Sequence, residues 1–231
     1  MDRLPAEIRR RHEPESDLYL VADPPTSRNP SERGNMDTRP RPELTDVPTL
    51  RRNARQHVDD GAVTAGYSAN REAVLKLLND ALATEIICVL RYRRHYFMAR
   101  GIHSQGVADE FLAHSNEEQG HADQIAERIV QLGGDPDFSP TTLQTRSHSE
   151  YVAGTTLVDM IREDLVAERI AIDSYREMIQ FIGADDPTTR RMLEEVLAVE
   201  EEHADELADL LQGMPAEQTD ASAPNNQGRI K

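Results

Sequence analysis

The sequence predicts an all-α protein: a four-helix bundle of two antiparallel hairpins joined by a long crossover, with a polar tail at each end. Three observations carry this. Apolar residues recur at steps of three and four over four long stretches. A set of glutamates, tyrosines and histidines inside those stretches occurs twice. The connections between stretches run short, long, short, which is the topology of two hairpins and a crossover.

The first 48 residues hold eight of the thirteen prolines and no sustained apolar period. Residues 1–48 are therefore read as a disordered Pro/Arg-rich tail that buries little surface. Met36 stands as an alternative start. A short helix is expected over roughly Pro48 to Asp60. The first long helix should run from about Asn70, a capping residue, to Arg100, with Gly101 stopping it. Its stripe is Leu75, Leu78, Leu82, Val89 and Tyr92. The second should run from about Ser104 to Leu132, with Phe111, Ile125, Ile129 and Leu132, and end at Gly133-Gly134. The third should run from about Thr156 to Ile182, with Leu157, Ile161, Leu165, Ile172 and Tyr175. The fourth begins after Asp185-Asp186 with Pro187 in its first turn and carries Leu193, Val196, Leu207 and Leu210. The bundle domain is thus 49–211, and 212–231 is a polar tail without an apolar stripe. The connection over 133–155 is long enough to cross a bundle about 40 Å long.

The repeated set carries the chemistry. Glu85 is followed by Tyr92, Glu118 and His121; Glu168 is followed by Tyr175, Glu200 and His203. The tyrosine follows the lone glutamate by seven residues in both halves. The paired glutamate follows by 118 − 85 = 33 and 200 − 168 = 32. Glu at i and His at i+3 share one helical face. Each of these residues lies within an apolar stripe, on the face to be buried. Buried ionised carboxylates need a partner or a metal. Four carboxylates with two neutral imidazoles carry −4, which two divalent ions cancel. The competing reading is a salt-bridged acidic core. One Glu-x-x-His would arise easily in a chain this rich in glutamate, but the duplicated set on apolar faces favours a di-metal site.

With these residues in place, the chain resembles the bacterioferritins of the ferritin-like di-iron carboxylate family. EEQGHADQIAERIVQLGGDP (117–136), TLVDMIREDLVAERIAIDSYREMI (156–179) and LEEVLAVEEEHADELADLL (193–211) resemble their second, third and fourth helices, and Glu85 with Tyr92 fits the first. The likeness covers about residues 70–211. It implies that Glu85, Glu118, His121, Glu168, Glu200 and His203 ligate two irons and act in catalysis, with Glu118 and Glu200 as bridges. It implies a ferroxidase that oxidises Fe²⁺ with O₂ or H₂O₂ for iron storage or detoxification. Manganese suits the same ligands. A rubrerythrin-like di-metal peroxidase or oxidase is the alternative, weakened by the lack of a Cys cluster. A DNA-protecting mini-ferritin is the second alternative; such proteins place their ligands across a subunit interface. Two departures matter. Gln119 stands where the family's haem-ligating methionine would follow the paired glutamate, which argues against haem. The segment after Leu211 cannot form the apolar fifth helix of the 24-subunit cage, so a homo-oligomer built from twofold dimers is expected without such a cage being assured.

Other residues near the set have plainer readings beside functional ones. Glu117 is an exposed helix acid or a transit ligand. His114 is a satisfied core histidine or a third polar group near the metals. Tyr92 and Tyr175 are packing residues, ligand orienters or electron donors. Cys88 is a small core residue.

Charge sets further limits. The net charge is −16, and residues 1–42 hold eight arginines against eight acids, so the whole excess lies on the rest. Such a body repels nucleic-acid phosphates and gathers cations. No apolar run is longer than that of Ile86 to Leu90, which cannot cross a bilayer, and the N-terminus shows no secretory h-region. With one cysteine no intrachain disulfide forms, and a reducing cytoplasm is the expected compartment. The purified protein is expected to lack stoichiometric haem b; a Soret band corresponding to about one haem per two chains would contradict the reading of Gln119.

Overall fold

The structure is a computed structural model and describes residues 43–101 and 104–214. The expected tails fall almost wholly outside those residues. Six α-helices are described: α1 (Val47–Asn53), α2 (Arg71–Met98), α3 (Ser104–Gln131), α4 (Leu143–Arg146), α5 (Leu157–Ile182) and α6 (Pro187–Gly213). No strand occurs among the described residues.

The four long helices fall within a few residues of their expected limits, and the predicted caps do the work. Asn70 Oδ1 accepts from the Ala73 amide at 3.2 Å. Thr156 and Asp159 form a reciprocal capping box on α5. Asp186 caps α6 and Pro187 takes its first position. Gly133, with φ +72°, ends α3 in the left-handed region. At Gly134 a Cβ would lie 2.5 Å from Leu75 Cδ2 and 3.2 Å from the Ile129 carbonyl, so glycine lets the chain leave α3 close to α2 without displacing Leu75. The short N-terminal helix differs from expectation. It is α1, beginning at Val47 within the segment read as tail, followed by a separate 3-10 turn, Val58–Asp60. Seven residues without a buried side chain explain why its limits carry no clear signal.

α2 packs on α3 and α5 on α6, while α2 also meets α5 and α3 meets α6. Two apolar clusters fill the interior. One lies toward the start of α2, with Leu78, Leu82, Ile125, Ile129, Leu193 and Val196; the other lies toward its end, with Tyr92, Phe111, Ile161 and Leu207. Not every apolar residue of α2 faces the interior. Phe97 is exposed, Val89 of the predicted stripe is only half-buried, and Ile86 is half-buried where it packs on the core under the crossover.

The crossover lies along α2. Asn79 bonds the backbone at Asp135 and Asp137, Thr84 Oγ1 accepts from the His148 amide at 2.9 Å, and Arg91 reaches Ser149 and the Glu150 carbonyl. His95 Nε2 meets the Ala153 carbonyl at 3.0 Å. Behind them, Asp164 of α5 holds Arg91 Nε and His95 Nδ1, each at 2.7 Å. All three side chains are buried. At the other end, Asp186 takes the guanidinium of Arg128 at 2.9 and 3.0 Å, together with the hydroxyls of Tyr67 and Thr189.

Removing one partner of a buried ion pair strands the other. Asp164→Ala should therefore cost about 3–5 kcal/mol, lowering the thermal midpoint by roughly 10 °C or more in a domain of this size. A melt followed by circular dichroism checks this; a shift within about 2 °C would show that Arg91 and His95 do not depend on Asp164.

Candidate metal centre

Each long helix delivers its share of the repeated set to one place. Glu85 comes from α2, Glu118 and His121 from α3, Glu168 from α5, and Glu200 and His203 from α6. All six residues are buried, with relative exposures of 0–6%. They form two groups whose ligand atoms lie within 4.8 Å of one another: Glu85, Glu118, His121 and Glu200; and Glu118, Glu168, Glu200 and His203. Glu118 and Glu200 belong to both.

His121 Nδ1 is 3.1 Å from Glu200, 3.4 Å from Glu85 and 3.5 Å from Glu118. His203 Nδ1 is 3.6 Å from both Glu118 and Glu200. These approaches have ion-pair distances but are not aligned as hydrogen bonds. Glu85 Oε2, Glu118 Oε1, Glu168 Oε2, both oxygens of Glu200, and Nδ1 of His121 and of His203 have no hydrogen-bond partner. Seven buried polar atoms from six residues, turned toward one centre, fit a pair of cations. Buried polar groups are otherwise almost always satisfied. Carboxylate oxygens and imidazole nitrogens suit iron, manganese or zinc.

The electrostatics point the same way. Burial, with Glu118 adding to it, pushes Glu85 up to about 8. Burial and the charges of Glu118 and Glu200 push Glu168 well above the carboxylate range. Burial and the neighbouring carboxylate charges also work against charge on Glu118 and Glu200, yet Glu85 beside Glu118, and the imidazoles of His121 and His203 facing both, hold them below it. Burial opposes charge on the imidazoles too, but Glu118 and Glu200 outweigh it, raising His203 to about 11 and His121 further. Two imidazolium ions can thus balance two carboxylates while the other two stay protonated. Two divalent cations can balance all four. Protons and metal compete for the same core.

Around the ligands lies a second layer that the sequence left ambiguous. Tyr92 and Tyr175 do more than pack: each hydroxyl donates to the lone glutamate of the other hairpin, Tyr92 to Glu168 and Tyr175 to Glu85. His114 is buried and satisfied, with Nε2 2.8 Å from Glu206 and Nδ1 3.3 Å from the Tyr92 hydroxyl. Glu117 has an exposed side chain, yet its Oε2 lies 2.7 Å from His203 Nε2. Its position beside Glu118 was the only signal in the sequence. Glu206, two turns before the end of α6, was missed; nothing in its spacing marked it. Cys88 is a buried core residue whose thiol burial pushes up, and its sulfur lies 3.5 Å from Arg91 Nη2. Gln119 bonds Asp123 on the exposed side of α3.

Residues 75–216 match the ferritin-like domain family, and the chain belongs to it. Among its relatives, the nutrient stress-induced DNA-binding protein of Nostoc sp. is 31% identical over 73% of this chain and 92% of that protein. Of solved structures, the bacterioferritin-related protein of Bacteroides fragilis, described as a dodecameric thioferritin, is 31% identical at a TM-score of 0.61, covering 63% of this chain and 88% of that one. A mycobacterial bacterioferritin is 33% identical at a TM-score of 0.54, covering 61% and 83%. This chain is a bacterioferritin-like member of the family.

Because His121, His203, Glu85 and Glu168 are all raised, divalent metal should displace their protons at neutral pH. Adding Zn²⁺ to the metal-stripped protein in weak buffer near pH 7 should release several protons per chain, and affinity should rise with pH, since fewer protons then compete. Binding without proton release would contradict these shifts.

Proposed function

We propose that the protein is a ferroxidase of bacterioferritin type, binding two Fe²⁺ per chain within a single bundle and oxidising them to Fe³⁺ for iron storage or detoxification. The observation that carries this is the pair of overlapping ligand groups that share Glu118 and Glu200. Two Fe²⁺ held side by side by these residues would give up one electron each, so O₂ or H₂O₂ would take two electrons in one encounter. Glu85 with His121 would hold one ion and Glu168 with His203 the other, with Glu118 and Glu200 bridging.

The remaining residues prepare the site. Glutamate side chains are long enough to change how they bind as the charge on iron rises. Tyr92 and Tyr175 anchor one oxygen of Glu168 and of Glu85. That leaves Oε2 of each aimed at the centre. The acidic body, −16 in all, raises the concentration of Fe²⁺ around it. The same charge works against DNA binding, so the DNA-binding activity in the name of the Nostoc relative is not carried over. Self-assembly is part of the proposal. Leu90, Phe97 and Phe181 are exposed apolar residues of the kind that twofold contacts bury, and the related thioferritin is a dodecamer.

The test is stopped-flow oxidation of Fe²⁺ in air with stoichiometry by metal analysis. The parent should bind and oxidise two Fe²⁺ per chain. Glu118→Ala removes a group shared by both ions, so it should slow oxidation by more than about tenfold, the lower end for even an outer-layer change at a metal site. Equal rates in parent and variant would refute the assignment.

A further inference from the structure

The repeat lets every residue around one half of the centre be compared with its counterpart around the other. Between α3 and α6 the offset is 82 residues, from Glu118 to Glu200 and from His121 to His203. The same offset takes Glu117 to Val199, His114 to Val196, and Glu206 back to Gln124. Three residues that carry ionisable groups on one side are two valines and a glutamine on the other.

All three converge on His203. Glu117 Oε2 lies 2.7 Å from His203 Nε2. The ring of His114 stacks on that of His203, with centroids 4.0 Å apart and planes 21° apart. Glu206 holds the far nitrogen of His114 at 2.8 Å, and Tyr92 meets its other nitrogen at 3.3 Å. His203 is thus fixed at its outer nitrogen and along one face, with Nδ1 left for the centre. His121 has neither support: among the described residues it makes no hydrogen bond, and the counterpart positions are Val199 and Val196.

We propose that Glu117 is a positioning residue that makes the two half-sites unequal, so that the half-site of Glu168 and His203 holds a divalent cation more tightly and fills first. This rests on the di-metal reading given under Proposed function. The physical ground is general. A histidine ligand whose outer N–H donates to a carboxylate is locked in the tautomer that presents the other nitrogen to the metal, and it is a stronger donor. As a plain surface contact Glu117 would matter little, because its side chain is 53% exposed and exposed ion pairs contribute little to stability. Its effect should therefore appear in metal affinity and not in folding.

The full chain, stripped of metal, is titrated with Co²⁺ by calorimetry and visible absorption. Two steps per chain are expected, separated by about tenfold or more. Glu117→Gln should weaken the tighter step by about 10–100-fold and leave the weaker one, so that the steps merge. Its thermal midpoint should match the parent's. In a His121→Ala background, Glu117→Gln should still weaken binding; in His203→Ala it should have no effect. Val199→Glu, which offers His121 a carboxylate of its own, should strengthen the weaker step. Two steps of equal affinity in the parent, or an effect of Glu117→Gln that persists in His203→Ala, would overturn the inference. A parent that binds no Co²⁺ would instead overturn the di-metal reading beneath it.

Discussion

Four carboxylates buried within a few ångströms of one another are the constraint on which the rest of the structure depends. Each would be costly to bury in its charged form without a counter-ion. The fold meets that cost by placing two imidazoles among them and leaving seven oxygen and nitrogen atoms unbonded at the centre. The arrangement is poor as a set of hydrogen bonds and good as a cradle for cations. A core chosen for stability alone would bond those atoms or replace them with apolar side chains. Here they are held apart and aimed inward.

Holding them requires a rigid frame. The ligands sit near the middle of four long helices, with an apolar cluster on each side along the bundle axis. Two buried ionic networks accompany these clusters, one on either side of the ligands. Arg91, His95 and Asp164 join α2, α5 and the crossover; Arg128, Asp186 and Tyr67 join α3, the start of α6 and the segment before α2. The hairpins are therefore tied to each other by directional bonds as well as by packing. The tyrosines add a crossed tie at the centre, since each links one hairpin to the lone glutamate of the other. A shift of one hairpin against the other would break both ties and misplace both half-sites.

The repeat explains the shared geometry, and its breaches mark where the halves differ. The glutamates, tyrosines and Glu-x-x-His pairs keep their places in both halves. Glu117, His114 and Glu206 do not, and they gather around His203. A symmetric set of acids and imidazoles thus lies inside an asymmetric surround, so its two halves have unlike environments.

Much of this was legible in the residues alone. Helical periodicity, Asn70, Asp186-Pro187 and Gly133 set the four long helices, because caps and amphipathic stripes are local properties. The six-residue set was legible because a repeat of buried acids on helical faces has few other physical meanings. The roles of Tyr92, Tyr175, His114, Glu117 and Glu206 were not legible. Each depends on which atom of a distant helix faces it, at separations of 76 residues for Tyr92 with Glu168 and 86 for Glu117 with His203. The seating of the crossover along α2 was equally hidden, since it depends on Arg91 and His95 meeting Asp164 some seventy residues away. Sequence by itself determined the helices, their pairing and which acids and imidazoles meet at the centre; tertiary structure decided who orients whom, because hydrogen-bond partners are chosen by packing across helices and not by spacing along one.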